Sequence, residues 1–117
     1  IGETSKEKRN KKTNQVLSNQ IKIGLKSIRN KSKIIIAYEP VWSIGTGYIP
    51  KPNDLIKSIA FIKKKLGKKS SKIFYGGSVN SDNINQLKNI STIDGFLIGG
   101  SSQDPKKFID IIKKTIK

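Results

Sequence analysis

The sequence contains no cysteine, no histidine and no methionine. Without cysteine there is no disulfide, no thiolate nucleophile and no cysteine-held metal. Without histidine the commonest metal ligand and the commonest acid–base side chain are both missing. Proton chemistry within these 117 residues therefore falls to carboxylates, and those are scarce: eight Asp and Glu stand against 24 Lys and Arg, a formal net charge of +16. No apolar run approaches the roughly 20 residues of a membrane span. No charged-then-apolar leader precedes a small-residue cleavage site, so the expectation is a soluble, cytoplasmic protein with no membrane partner. The missing methionine and the opening Ile1-Gly2-Glu3 suggest that these residues are part of a longer chain.

A charge of this size raises the question of nucleic acid or another polyanion. Only two of the 24 basic residues are Arg, and the lysines are scattered along the chain. Base readout and stacking favour arginine and aromatics gathered on one face. A solvated lysine surface is the better reading, with no specific nucleic-acid partner.

What is present is a regular alternation. Thr4-Ser5-Lys6-Glu7 matches a capping box at a helix start. Leu17, Ile21, Leu25 and Ile28 follow at helical spacing. Lys33 to Tyr38 is a β-branched apolar run of the kind expected for a parallel strand buried on both faces. Pro52-Asn53-Asp54 opens a helix with Leu55, Ile59, Ile62 and Leu66 on one face and Gly67 as its stop. Lysines 63 to 65 and 68 to 69 cluster near its C-terminal end, where positive charge suits the helix dipole. Lys72 to Tyr75 is a second strand, Ser81 to Leu87 a brief helix, and Asp94 to Ile98 a third strand. Asp104 caps a last helix with Pro105 at its first position and Phe108, Ile111, Ile112 and Ile116 along its stripe. The pattern is a helical segment followed by three parallel strand–helix units, an α/β arrangement forming one domain over residues 1–117. Ligands bind such sheets at the C-terminal strand edge, where here all three strands run into glycine-rich loops.

Three motifs lie on that edge. In Ala37-Tyr38-Glu39-Pro40-Val41-Trp42-Ser43-Ile44-Gly45-Thr46-Gly47, Glu39 stands where strand gives way to loop. Its carboxylate would enter the ligand crevice and lose part of its hydration, a setting that suits a general base. Pro40-Val41-Trp42 stiffens the loop's start, and Gly45-Thr46-Gly47 forms a compact tip whose amides can approach an anion. A stiff hinge before a compact tip is what a closing lid requires. Tyr75-Gly76-Gly77-Ser78-Val79 and Gly95-Phe96-Leu97-Ile98-Gly99-Gly100-Ser101 each place a glycine pair after a strand, where amides can form a concave nest for phosphate oxygens. Either pair alone would equally suit a tight strand-to-helix turn.

Together, and in this order, the three motifs closely resemble the signatures of the triosephosphate isomerase family, and Ile1-Gly2-Glu3-Thr4 is similar to that family's segment after its fifth strand. The resemblance covers essentially the whole chain. It implies part of a TIM (β/α)8 barrel, from just after the fifth strand to the end, with the N-terminal half absent. It also implies the interconversion of dihydroxyacetone phosphate and glyceraldehyde 3-phosphate, a cytoplasmic step of glycolysis and gluconeogenesis, in a homodimer when complete. Glu39 would then be the catalytic base, acting through an enediolate. Gly45, Ser78, Gly99 and Gly100 would bind the substrate phosphate. Pro40, Val41, Trp42, Ser43, Ile44, Thr46 and Gly47 would belong to the lid, and Tyr75 with Ser78 would latch it. No cofactor and no metal are implied.

The chain also departs from the family. Tyr48-Ile49-Pro50 stands where a lysine and small residues are frequent, and Ser43 where alanine is common. The family's substrate-binding lysine and asparagine and its electrophilic histidine have no counterpart, so the 117 residues alone are expected to be inactive. Two other readings explain less: a different phosphate-binding barrel enzyme, and a lysine-rich fragment that binds polyanions.

Overall fold

A computed structural model describes residues 1–67 and 71–116. The expected lysine cluster at 68 to 69 lies outside the described residues. The elements run α1 (Ser5–Arg9), α2 (Thr13–Gly24), β1 (Ile35–Tyr38), α3 (Pro52–Leu66), β2 (Lys72–Tyr75), α4 (Ile84–Leu87), β3 (Gly95–Phe96) and α5 (Pro105–Thr115). Short 3-10 turns lie at Lys31–Lys33, Val41–Ser43 and Gly100–Gln103. The three strands are parallel in the order β1-β2-β3, with Ile36 opposite Ile73, Tyr38 opposite Tyr75 and Tyr75 opposite Phe96. This is the α/β sheet of a partial TIM barrel.

The capping box forms as expected: Glu7 N donates to Thr4 Oγ1 at 3.3 Å, and Thr4 N donates to the Glu7 carboxylate at 2.7 Å. The bond from Thr4 N, aided by the Thr4 side chain, holds the Glu7 carboxyl below the usual carboxylate range. Both apolar stripes on α2 and α3 are buried, Leu17 and Ile21 on one, Leu55, Ile59, Ile62 and Leu66 on the other. They pack against the side of the sheet that carries Ile36, Tyr38, Ile73 and Tyr75.

Several element ends differ from the sequence reading. Helix α2 stops at Gly24, a poor helix former, so Leu25 is its cap and Ile28 lies beyond it, 44 % exposed. Strand β1 begins at Ile35 because a 3-10 turn, with the Asn30 side chain bonded to Ser32 N, occupies Lys31–Lys33. Helix α4 begins at Ile84, since Asn80 and Asn83 bond each other's backbone and hold residues 80–83 as a turn. Strand β3 spans two residues, although Asp94 N and Leu97 N still donate to the carbonyls of Ile73 and Tyr75, both at 2.9 Å. On α5 only Ile111 is fully buried, and Ile112 and Ile116 are exposed.

The strands are also not buried on both faces. Burial alternates, with Ile35 exposed and Ala37 and Phe74 partly so, while their neighbours face the helices. Period-two alternation puts residues 35, 37 and 39 on one side of the sheet and 36 and 38 on the other. Glu39 therefore belongs to the face opposite the helices.

Candidate functional site

Glu39 is seated by the first residues of the chain. The Ile1 nitrogen donates to Ala37 O at 2.8 Å, Glu39 N donates to Ile1 O at 2.8 Å, and Val41 N to Glu3 O at 2.9 Å, so residues 1–3 run parallel beside β1. A side chain at Gly2 would overlap the Glu39 carbonyl, which is why the approach can be this close. On its other side the Glu39 carboxylate lies against Gly76, where a Cβ would come within 2.6 Å of Cγ and 2.9 Å of Oε1. Gly76 N donates to Tyr38 O at 2.9 Å, fixing that wall.

The loop after Glu39 is anchored at its start and bonded down along its length. Trp42 Nε1 donates to the Glu3 carboxylate at 3.2 Å, Tyr38 Oη donates to the same carboxylate at 3.1 Å, and Glu3 is 2 % exposed. The Lys8 ammonium sits 3.7 Å from the centre of the Trp42 ring, a cation–π contact. Thr46 Oγ1 donates back to Ser43 O at 3.1 Å and accepts from Tyr48 N at 3.2 Å. Gly45 and Gly47 turn the tip with φ of +68° and +80°, conformations that cost glycine little. Gly47 N then donates to Ser78 Oγ at 2.9 Å, tying the tip to the turn after β2.

That turn has its own reason for glycine. A Cβ at Gly77 would overlap the Tyr75 hydroxyl and lie 2.5 Å from Ser43 Oγ. The glycine pair at 76 and 77 thus makes room for the Glu39 carboxylate and the loop, and both residues line the same cavity as Glu39. The pair at 99 and 100 is different. Nothing lies within 4 Å of a Cβ at either residue, and both face open space. Ser102 N and Oγ both donate to Gly99 O, at 2.9 and 2.6 Å, holding the turn.

Glu39, Gly45, Ser78, Gly99 and Gly100 all line one cavity of about 370 Å³, together with Ile44 and Gly47 from the loop. Among the described residues, no hydrogen bond within the protein engages the amides of Gly45, Gly99 or Gly100. The cavity thus offers one carboxylate and three free amides, an arrangement suited to a small anion with a proton-transfer centre beside it. Pro40, Trp42, Ser43 and Tyr75 are not among its lining residues. Tyr75 is fully buried, and burial pushes its phenol up from its ordinary value while the bond to Ser43 opposes this. Val41 and Thr46 lie on the loop's outer side, exposed.

Three contributors were not picked out from the sequence. Glu3 anchors the loop, yet it is only an acidic residue in a short opening segment. Asn80 lines the cavity and also braces the turn before α4. Lys107 lines it too, from the first turn of α5. A lysine there opposes the helix dipole, and that mismatch is a signal the sequence did carry. No group of His, Cys, Asp and Glu among the described residues could hold a metal ion, and none of their helices is long and apolar enough to cross a membrane.

Comparison with known proteins points to one family. The family model for triosephosphate isomerase matches residues 1–115. The triosephosphate isomerase of Thermodesulfovibrio yellowstonii is 41% identical over 97% of this chain and 48% of its own length. That of Dictyostelium discoideum is 41% identical over 99% of this chain and 48% of its own. That of Saccharomyces cerevisiae is 42% identical over 96% and 48%. The chain therefore spans about half the length of the curated relatives it matches.

Proposed function

The chain belongs to the triosephosphate isomerase family, and on that footing we propose that it supplies the base and the phosphate grip for interconverting dihydroxyacetone phosphate and glyceraldehyde 3-phosphate. Glu39 takes a proton from the carbon beside the substrate carbonyl and returns it to the neighbouring carbon through an enediolate. Gly45, Gly99 and Gly100 donate their amides to the substrate phosphate, with the Ser78 hydroxyl beside them. Pro40 to Tyr48 is the lid, and it excludes water from an intermediate that would otherwise lose its phosphate. The complete protein would work as a cytoplasmic homodimer in glycolysis and gluconeogenesis. Its remaining polar groups would come from strands that these residues do not include.

What supports this reading most is the convergence of Glu39 with the free amides of Gly45, Gly99 and Gly100 on one cavity. A carboxylate alone at a strand end would say little. The test is to join this chain to the preceding half of the Thermodesulfovibrio yellowstonii relative and assay triose phosphate isomerisation. The joined protein should turn over substrate, and the 117 residues alone should show no measurable turnover. Substantial activity of the 117 residues alone, or none in a folded joined protein, would contradict the proposal.

A further inference from the structure

We infer that the Ser43 hydroxyl is the pin that holds the loop from Pro40 to Tyr48 seated over the cavity. The inference rests on the isomerase reading for what the seated loop is for, and not for the bonds that seat it. A serine hydroxyl can donate one hydrogen bond and accept two. Ser43 Oγ donates to Tyr48 O at 2.5 Å, across the loop to its far end. Its single proton is then committed, so the 3.0 Å bond to Tyr75 Oη must have the tyrosine as donor. The second acceptor position takes Ser78 N at 3.3 Å. The full capacity of one atom, in a residue with no exposed surface, is spent joining both ends of the loop to the turn after β2.

A second bond pair closes the same seam. Ser78 Oγ donates to Ser43 O at 2.5 Å and accepts from Gly47 N. Two serines thus exchange bonds, each also holding a residue near the loop's far end. Alanine at position 43 would remove the three bonds that pass through Oγ and leave the fully buried Tyr75 hydroxyl without that acceptor. The burial that keeps Tyr75 protonated also keeps it a donor. The seated loop places Gly45 on the cavity wall, so any interaction that favours seating also favours an anion held by its amide.

Amide hydrogen exchange on the 117-residue chain reads this directly, without any need for turnover. Ser43→Ala should speed exchange at Gly47 and Ser78 about tenfold, while Gly76 and Leu97, bonded within the sheet, stay within about twofold. Adding Tyr75→Phe removes the stranded hydroxyl, so the double variant should exchange no faster at Gly47 than Ser43→Ala does. Trp42, the only tryptophan, adjoins Ser43, and its fluorescence anisotropy should fall in Ser43→Ala. Unchanged exchange at Gly47 and Ser78, or equal acceleration at all four amides, would overturn the inference. In the joined barrel, Ser43→Ala should raise KM about tenfold and leave the pH profile in place. A joined barrel that never isomerises would count against the isomerase reading and leave the exchange result standing.

Discussion

Glu39 is flanked by the Gly2 backbone at its carbonyl and by the Gly76 backbone at its carboxylate. The site's precision therefore depends on residues with no chemistry of their own. Gly76→Ala would push the carboxylate away, and a misplacement of about 1 Å can cost on the order of a hundredfold in rate. We expect kcat of the joined barrel to fall by about that factor with KM changed far less, as steady-state kinetics would show. The buried tyrosines set a second expectation. Burial raises the Tyr38 and Tyr75 phenols above their ordinary value of 10.0. The unfolded chain then ionises first, so stability is full below about pH 10 and is lost as pH rises through the folded values. Denaturation midpoints across that range should show the loss, and Tyr38→Phe should reduce it. Glu39 was legible in the sequence because a long motif surrounds it at the end of β1, and the Gly99–Gly100 pair because two adjacent glycines follow the last apolar run. Glu3 was not, because its partners Tyr38 and Trp42 are 35 and 39 residues away.

Helices were more legible than strands, for a physical reason. Leu55, Ile59, Ile62 and Leu66 repeat at helical spacing and are all buried, and the caps at Thr4 and Asp104 form as their residue types require. Strand ends carry no comparable punctuation. Lys33 and Ile34 read as strand, yet a local side-chain bond from Asn30 competes for that backbone and wins. The same competition by Asn80 and Asn83 shortens α4. The caps can be tested by substitution. Asp104 Oδ1 accepts from Lys106 N at 2.9 Å and Lys107 N at 3.3 Å, so Asp104→Ala should cost about 1 kcal/mol of stability in urea unfolding. It should also loosen the first turn of α5, from which Lys107 reaches the cavity.

At the scale of the whole molecule, a net charge of +16 meets only two ion pairs among the described residues, Lys63 with Asp94 and Lys114 with Asp110. The lysines form a solvated surface and contribute little to holding the fold together. The sheet explains the rest of the exposure. Its face opposite the helices carries Ile35, 55 % exposed, and Leu97 beyond β3 is 43 % exposed. The composition of the strands does not reveal this one-sidedness, because a strand that lines a barrel and a strand buried between two helix layers have the same apolar character; the resemblance to part of a barrel does imply an exposed inner face. The central claim is that one carboxylate on that open face performs the proton transfer while the amides beside it hold the phosphate. Its most direct test is Glu39→Gln in the joined barrel, measured as isomerisation rate alongside binding of inorganic phosphate. The account predicts a fall in kcat of about 10²- to 10⁴-fold with phosphate affinity retained; turnover within a few-fold of the unsubstituted protein would contradict it.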